Sequence, residues 1–169
     1  MSAHEIRYQV SVDAPAEKVW EALADFGNVS RYNPGVVHSH ATSTEPSGLG
    51  ATRHCSLALF GASVEERIVG WTESELLAIE IYDAKRFPVI KNAGATFKLD
   101  GTGDETVVEG AFSYDVKYGP IGSAMNALSL RKQTDRAWRL FLAGLKKHVE
   151  TGETIDGDTR VPVESVVAS

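Results

Sequence analysis

The hydrophobic period of the chain changes once, near Pro120, and this change restricts the fold more than any other feature. Before it, apolar and polar residues alternate in short runs, which is the period of half-buried strands. After it, apolar residues such as Leu130, Phe141 and Leu145 recur at the spacing of an amphipathic helix. The pattern therefore predicts a series of strands followed by one long helix of about 30 residues that ends at Gly152.

The first part of the chain predicts one strand and two short helices. Residues 6–13 alternate between apolar and polar types and form the first predicted strand. Asp13 is placed as the N-cap, and Pro15 in the first turn, of a helix that Gly27 closes. Residues 28–32 predict a second short helix.

Six more strands are predicted before the long helix, with turn residues between them. They are expected at residues 36–44, 51–60, 64–71, 76–82, 95–99 and 106–117. The fold class is therefore α+β, with a seven-stranded antiparallel sheet wrapped around a long C-terminal helix. Because one helix cannot close against a twisted sheet everywhere, we expect a mostly apolar pocket between the sheet, the long helix and the short helices.

Length and composition indicate one globular domain. The chain has 169 residues, of which 43% are hydrophobic and 24% charged, as is typical of a soluble domain. We place this domain at residues 1–150. Residues 151–169 form a tail of mostly polar and small residues with several valines, which is either flexible or adds onto a neighbouring element.

Charge and cysteine content exclude several classes of function. A net charge of −6, from 17 basic and 23 acidic residues, is unfavourable for binding nucleic acid. No apolar run reaches the ~20 residues of a membrane-spanning helix, and the start of the chain lacks a signal-peptide pattern. The single cysteine, Cys55, cannot form an internal disulfide. We expect a cytoplasmic monomer or homodimer.

Four segments carry a resemblance to a known superfamily. VSVDAPAEKVWEALADF (residues 10–26), YNPGV (32–36), GLGATR (48–53) and VEERI (64–68) resemble the SRPBCC (START-like, helix-grip) superfamily. Within it, the chain is most similar to the bacterial polyketide cyclase/dehydrase and lipid-transport group. The resemblance covers about residues 5–150 and implies the helix-grip fold. It does not define a reaction, because lipid carriers, plant ligand-binding proteins, aromatase/cyclases and chaperone activators share this scaffold.

Gly110 departs from the group's pattern. Near the seventh strand, members of this group often carry a tryptophan where this chain has Gly110. A glycine at this position would leave space inside the cavity or let the strand bend.

Strand alternation predicts a pair of charged residues inside the sheet. On the third strand, Arg53 shares a face with Cys55 and Leu57, and on the fourth, Glu66 shares a face with Ile68. If the apolar sets point inward, both charges point inward with them. An unpaired buried charge is costly, so the two should form an ion pair. The pair either holds the sheet in register or anchors a ligand carboxylate, enolate or hydroxyl.

The inward residues of these two strands, Arg53, Cys55, Leu57, Glu66 and Ile68, are candidate ligand contacts, and the other candidates surround the expected pocket. They are Tyr32 at its rim, Phe87 in the loop after the fifth strand, Phe112 and Tyr114 on the seventh strand, and Met125 and Leu128 on the long helix. Plain core packing would also account for the apolar members of this set. A buried tyrosine such as Tyr114 usually hydrogen-bonds its hydroxyl to a ligand or to the protein.

Three functions fit this pocket. The first is a carrier or sequestering protein for a small hydrophobic or aromatic molecule, such as a lipid, a quinone or a polyketide-like compound, with no cofactor. The alternative is a polyketide-type cyclase or dehydratase in which Arg53 polarises a carbonyl and Glu66 or Tyr114 moves a proton. The third is a protein–protein adaptor that uses the sheet or the tail.

Three histidines lie on the opposite face of the second and third strands. His40 should face His54 across the hairpin, with His38 two residues along on the same side. Such spacing suits zinc or copper. However, this face is opposite Cys55 and Leu57, which makes it the solvent side, and no carboxylate or thiol is obviously placed to complete a ligand set. We therefore expect a solvated polar face and assign no metal site.

Overall fold

The computed structural model describes residues 4–86, 90–125 and 129–169. Within these ranges, eight strands form one antiparallel sheet: β1 His4–Val12, β2 Val36–Ala41, β3 Thr52–Leu57, β4 Ser63–Thr72, β5 Leu76–Lys85, β6 Ile90–Thr102, β7 Glu105–Val116 and β8 Val166–Ala168. The helices are α1 Ala16–Ala24, α2 Gly119–Met125 and α3 Arg131–Thr151, with 3₁₀ helices at Phe26–Arg31 and Val163–Ser165. The strand order is β2-β3-β4-β5-β6-β7-β1-β8, so the predicted α+β class is confirmed.

The strand count is eight rather than seven, because the tail supplies a strand. β8 pairs antiparallel with β1, where Tyr8 lies opposite Ala168. The tail is held by buried Ile155 and Val166, which are 0% and 2% exposed. Arg139 of α3 also donates to the carbonyl oxygen of Val166, at 3.4 Å. A strand of three residues is too short for a period of two to be visible in the sequence.

The start of α1 differs from the predicted arrangement. Pro15 is the N-cap, and no side chain caps the helix. The backbone N–H of Asp13 instead donates to Glu150 Oε1 at 2.8 Å, so the predicted N-cap role of Asp13 is wrong. Gly27 does not close α1 but lies in the following 3₁₀ helix. A Cβ at Gly27 would lie 2.8 Å from the backbone nitrogen of Ala41, so this glycine permits close packing on β2.

The C-terminal helix ends where the sequence predicts. Gly152 adopts φ 74°, and its N–H donates to the carbonyl oxygen of His148 at 2.7 Å. This left-handed C-cap favours glycine. The α-helix α3 has 21 residues, residues 129 and 130 directly before it are π-helical, and α2 lies further upstream. Residues 126–128, between the two, lie outside the described residues.

An aromatic cluster fixes α3 against one half of the sheet. Phe97 of β6 and Phe112 of β7 meet Trp138 and Phe141 of α3, with ring centroids 5.1–5.5 Å apart. All four side chains are buried. Aromatic pairs at this separation stabilise beyond the area that they bury.

Gly110 provides the space that Trp138 occupies. Trp138 Nε1 donates to the carbonyl oxygen of Gly110 at 3.0 Å. A Cβ at Gly110 would lie 3.0 Å from Leu142 Cδ2 and 3.2 Å from the Trp138 ring. β7 keeps its regular register here, with Gly110 opposite both Tyr8 and Phe97. The expectation that this glycine enlarges the cavity or bends the strand is therefore wrong, because α3 fills the space.

Gly110→Ala should destabilise the fold by about 1–3 kcal/mol, because the added methyl group would overpack the contact with Trp138 and Leu142. Urea unfolding monitored by tryptophan fluorescence measures the change. Gly157→Ala is the matched control, because a Cβ at Gly157 meets no atom within 4 Å. The control should change the free energy of unfolding by no more than about 0.5 kcal/mol. Equal effects of the two substitutions would contradict the close packing at Gly110.

Candidate functional site

Arg53 and Glu66 form an ion pair on the inner face of β3 and β4. The two residues lie directly opposite each other in the strand register. Arg53 Nε donates to Glu66 Oε2 at 2.5 Å. The side chains are 6% and 14% exposed, respectively. Strand alternation thus places both charges where the sequence predicts, and each is the other's partner.

The Arg53 guanidinium has two further contacts with Phe26, which follows α1. Its Nη1 donates to the carbonyl oxygen of Phe26 at 2.9 Å, and its Cζ lies 4.0 Å from the centroid of the Phe26 ring. Burial lowers the pKa of Arg53, but Glu66 and other neighbours raise it, and the net pKa lies above its usual value. The guanidinium therefore stays charged in the interior, which its partners make tolerable.

Two neutral groups complete this polar cluster. The Cys55 thiol donates to Glu66 Oε2 at 3.6 Å, and burial raises the pKa of this thiol. Burial also raises the pKa of Tyr32 to about 12, although the charge of Arg53 acts in the opposite direction. At neutral pH, a phenol and a thiol therefore lie beside one cation and one carboxylate.

Tyr32, which was expected at the rim of the pocket, has its side chain buried in the core. It is 2% exposed, and its ring stacks on Phe141 with centroids 5.8 Å apart. A Cβ at Gly144 of α3 would lie 2.2 Å from the carbonyl oxygen of Tyr32. The glycine thus lets the backbone at Tyr32 pack directly on α3, which carries the side chain inward.

Part of the inner face beside the ion pair is accessible to solvent. Glu66 lies opposite Ile81 in the register of β4 and β5, so the two side chains share the inner face. Ile81 is packed against the core but only partly buried, as are Leu57, four residues after Arg53 on β3, and Ala95 of β6, which lies opposite Ile79. In contrast, Ile68 is 1% exposed. The inner face is therefore closed at Ile68 and partly exposed at Ile81, opposite Glu66.

The predicted site residues do not all meet. Tyr114 is 1% exposed and packs on Phe112, with centroids 5.6 Å apart. It lies on β7, three strands from Glu66 on β4, which is about 14 Å along the sheet. Tyr114 is thus apart from the ion pair, whereas Phe26 and Tyr32 adjoin it. Sequence reasoning missed Phe26, because its helical spacing indicated only a core residue.

Three of the predicted contacts are less fully described. Phe87 and Leu128 lie outside the described residues, and Met125 is the last residue of α2.

Two grooves lie on the surface, and Tyr32 of the polar cluster is among the residues that line the first of them. One of about 440 Å³ lies between α1 and the C-terminal end of α3, and one of about 350 Å³ lies between α3 and residues 160–164. Their linings are rich in charged side chains, among them Lys18, Asp25 and Arg160. Such linings do not suit a mostly apolar ligand.

The histidine row lies on the solvent side of the sheet, as predicted. His40 lies opposite His54, and the ring centroids are 5.5 Å apart for His38 and His40 and 5.3 Å apart for His40 and His54. A carboxylate does adjoin the row, contrary to the sequence analysis: Glu65 Oε1 lies 2.5 Å from His54 Nδ1. Even so, no three His, Cys, Asp or Glu side chains in the described part of the chain are placed to hold a metal ion.

Comparison with known proteins identifies the family. Residues 3–150 match the family model described as polyketide cyclase / dehydrase and lipid transport. The chain belongs to this family. The membership confirms the resemblance carried by the quoted sequence segments, and it supports a fold of the hydrophobic ligand-binding or cyclase type.

Solved structures of this fold superpose on most of the chain. A crystal structure from Thermus thermophilus has a TM-score of 0.72 at 17% identity and covers 86% of this chain and 97% of its own. The crystal structure of Ara h 8.0201 has a TM-score of 0.69 at 12% identity and covers 88% and 98%. A solution structure from Thermobifida fusca has a TM-score of 0.66 at 24% identity and covers 86% and 92%.

At these identities the similarity shows the fold alone. Among curated protein sequences, none matches the chain. Among the described residues, no helix is both long and apolar enough to cross a membrane.

Removing one member of the buried ion pair should destabilise the fold more than removing both. Arg53→Met or Glu66→Leu leaves an unpaired buried charge, at an expected cost of about 3–5 kcal/mol, whereas the double variant should lose much less than the sum. Urea unfolding of the four proteins measures this coupling.

The exposed pair Arg67–Glu80 is the matched control, since its side chains are 44% and 43% exposed. Its single variants should lose at most about 1 kcal/mol. Additive losses at Arg53 and Glu66 would contradict the buried pair.

Tyr32 should make the protein less stable at alkaline pH. Its pKa is about 12 in the fold, against 10.0 for an unperturbed tyrosine, so the unfolded chain loses this proton first as pH rises. The contribution of this proton to the free energy of unfolding is fully present below pH 10. It is lost as the pH rises toward 12, by roughly 3 kcal/mol at most. Tyr32→Phe should remove this part of the pH dependence, as measured by urea unfolding between pH 9 and 11.5.

Tyr118→Phe should keep the wild-type slope, because Tyr118 is 71% exposed. The same slope for Tyr32→Phe and wild type would be inconsistent with a buried Tyr32 hydroxyl.

Proposed function

We propose that the protein binds a small, mostly apolar molecule with one polar end, and acts as its carrier or sequestering protein. The observation that supports this most directly is the partly exposed inner face at Ile81, opposite Glu66 of the ion pair, which continues at Leu57 and Ala95. An apolar surface with a few convergent polar groups inside a fold is the usual setting of a small-molecule site.

The polar end of the ligand would bind at the ion pair. A guanidinium has five N–H donors. In Arg53, Glu66 takes the Nε donor and the Phe26 carbonyl takes one at Nη1. A ligand carboxylate, enolate or hydroxyl would accept a further hydrogen bond, and a hydroxyl would also donate to Glu66. This chemistry fits a fatty acid, a reduced quinone or a polyketide-like chain.

The apolar part of the ligand would lie along Leu57, Ile81 and Ala95. Each Å² of apolar surface removed from water contributes about 25 cal/mol, so most of the affinity would come from this contact. The polar end would select among ligands of similar size, because a buried polar group without a partner is unfavourable.

Binding is favoured over a cyclase or dehydratase activity by the contacts of Glu66. Its Oε2 already accepts from Arg53 and from Cys55. A proton taken from a substrate would neutralise this carboxylate and give up its ion pair with Arg53. The other proposed proton carrier, Tyr114, lies three strands away.

The affinities of dodecanoic acid, dodecanol and dodecane test the proposal. Displacement of a fluorescent apolar probe from the purified protein, after extraction of any bound compound, measures all three. The acid and the alcohol should bind at least about tenfold more tightly than the alkane, since one hydrogen bond is worth about 1.4 kcal/mol here. The double variant Arg53→Met/Glu66→Leu, which removes both polar partners, should abolish this preference and leave the alkane affinity unchanged.

Ala95→Phe should weaken binding of all three probes about tenfold or more, because the added ring occupies the apolar part of the site. The control is Thr96→Phe, since Thr96 is the neighbouring residue on the opposite face of β6. No binding of any probe by wild type, or equal effects of the two substitutions, would refute the proposed site.

The cyclase or dehydratase alternative makes a different forecast. There, wild type would convert a poly-β-ketone, and Glu66→Gln would bind it but form no product. Product formation by wild type would replace the carrier assignment.

A further inference from the structure

The two ends of the sheet carry opposite charge. Antiparallel strands bring alternate turns to the same end. We call one end the basic end, formed by residues 58–62, 85–86 and 117–121, and the other the acidic end, formed by residues 42–51, 73–75 and 100–105. The charged residues of the basic end are Lys85, Arg86 and Lys117, and those of the acidic end are Glu45, Glu73, Glu75, Asp100, Asp104 and Glu105.

The carboxylates nearest to the basic end lie within the strands and not in the turns that form its tip. Asp115 is paired with Lys91 in the register of β6 and β7 and accepts a hydrogen bond from Asn92. Asp83 lies opposite Glu65, two residues before Lys85. The tip of this end is therefore positively charged, although the whole chain has a net charge of −6.

Large apolar side chains project from the same basic end. Phe60, Tyr118 and Ile121 are 84%, 71% and 71% exposed. Phe60 and Tyr118 have positive φ, 48° and 69°, which is uncommon for residues other than glycine. A Cβ at Gly61 would lie 3.5 Å from Arg86 Nη1, so the turn that carries Phe60 adjoins that cation.

We propose that the basic end docks on an anionic lipid surface, with Phe60, Tyr118 and Ile121 inserted among the headgroups. Aromatic rings favour this interface, since one part is apolar and the other tolerates water. Each Lys or Arg near an anionic surface raises the affinity about fivefold.

Screening explains how a chain of negative net charge can approach such a surface. Strands β4 to β7 contain 10–13 residues, so about 30–40 Å separates the two ends. The Debye length at physiological ionic strength is about 8 Å. The acidic end is thus screened when the basic end touches the surface.

Docking would also place the proposed site close to the lipid. Leu57 is the last residue of β3 and Val116 the last of β7, and both are partly buried inner-face residues next to the basic end. An apolar ligand could then pass between the lipid and the interior. This transfer rests on the proposed function, but docking itself does not, so the two can fail separately.

Flotation with lipid vesicles tests the docking. We expect the full-length protein to bind vesicles of phosphatidylcholine with 30% phosphatidylglycerol at least tenfold more strongly than phosphatidylcholine alone, and salt to reduce this binding. The double variants Phe60→Ser/Ile121→Ser and Lys85→Glu/Arg86→Glu should each lose at least tenfold in affinity. Urea unfolding checks that both remain folded.

Two matched controls lie at or near the acidic end of the sheet. Leu49 is 72% exposed at the acidic end, and Lys98 is exposed on β6 near the same end. Leu49→Ser and Lys98→Glu should leave vesicle binding unchanged. Absence of binding by wild type, equal binding to both vesicle types, or equal losses in the controls would overturn the proposal. Absence of binding would instead favour a protein as the partner of the basic end.

Discussion

One helix must cover one face of a sheet that is much wider than the helix, and the rest of the structure follows from this mismatch. A helix with its side chains is about 10 Å across, whereas eight strands span roughly 34 Å. α3 packs its aromatic residues on β6, β7 and β1, and Gly110 lets Trp138 approach the strand backbone there. The inner face of β3, β4 and β5 is left to be covered by other means.

In the half of the sheet that α3 does not cover, the segment after α1 packs over a buried ion pair. Phe26 and Tyr32 bring an aromatic ring, a carbonyl and a phenol over Arg53. Apolar residues would stabilise this region as well or better, since a buried ion pair recovers little beyond the cost of desolvating it. Stability alone therefore does not account for Arg53 and Glu66 beside a partly exposed inner face, and the proposed recognition of a ligand would.

Strand alternation was sufficient to place Arg53 and Glu66 on the inner face, because the side-chain period of two is a local property, and the cost of an unpaired buried charge then favoured their pairing. The register that pairs them also sets Glu65 opposite His54, but alternation alone could not predict this, since the register depends on the turn between the strands. Nor could it predict a buried Tyr32, which depends on the absence of a side chain at Gly144, more than a hundred positions later. The fold class was predictable because the change of period near Pro120 extends over many residues, whereas β8 is too short to show a period.

The net charge conceals how charge is distributed over the protein. In an antiparallel meander, turns alternate between two ends, so acidic and basic turns that alternate along the chain become segregated in space. The net charge of −6 is a sum over the whole chain and thus describes neither end. The inner face is partly accessible next to the basic end, at Leu57 and Val116. The same topology therefore separates the charges and sets the direction from which an apolar ligand would reach the interior.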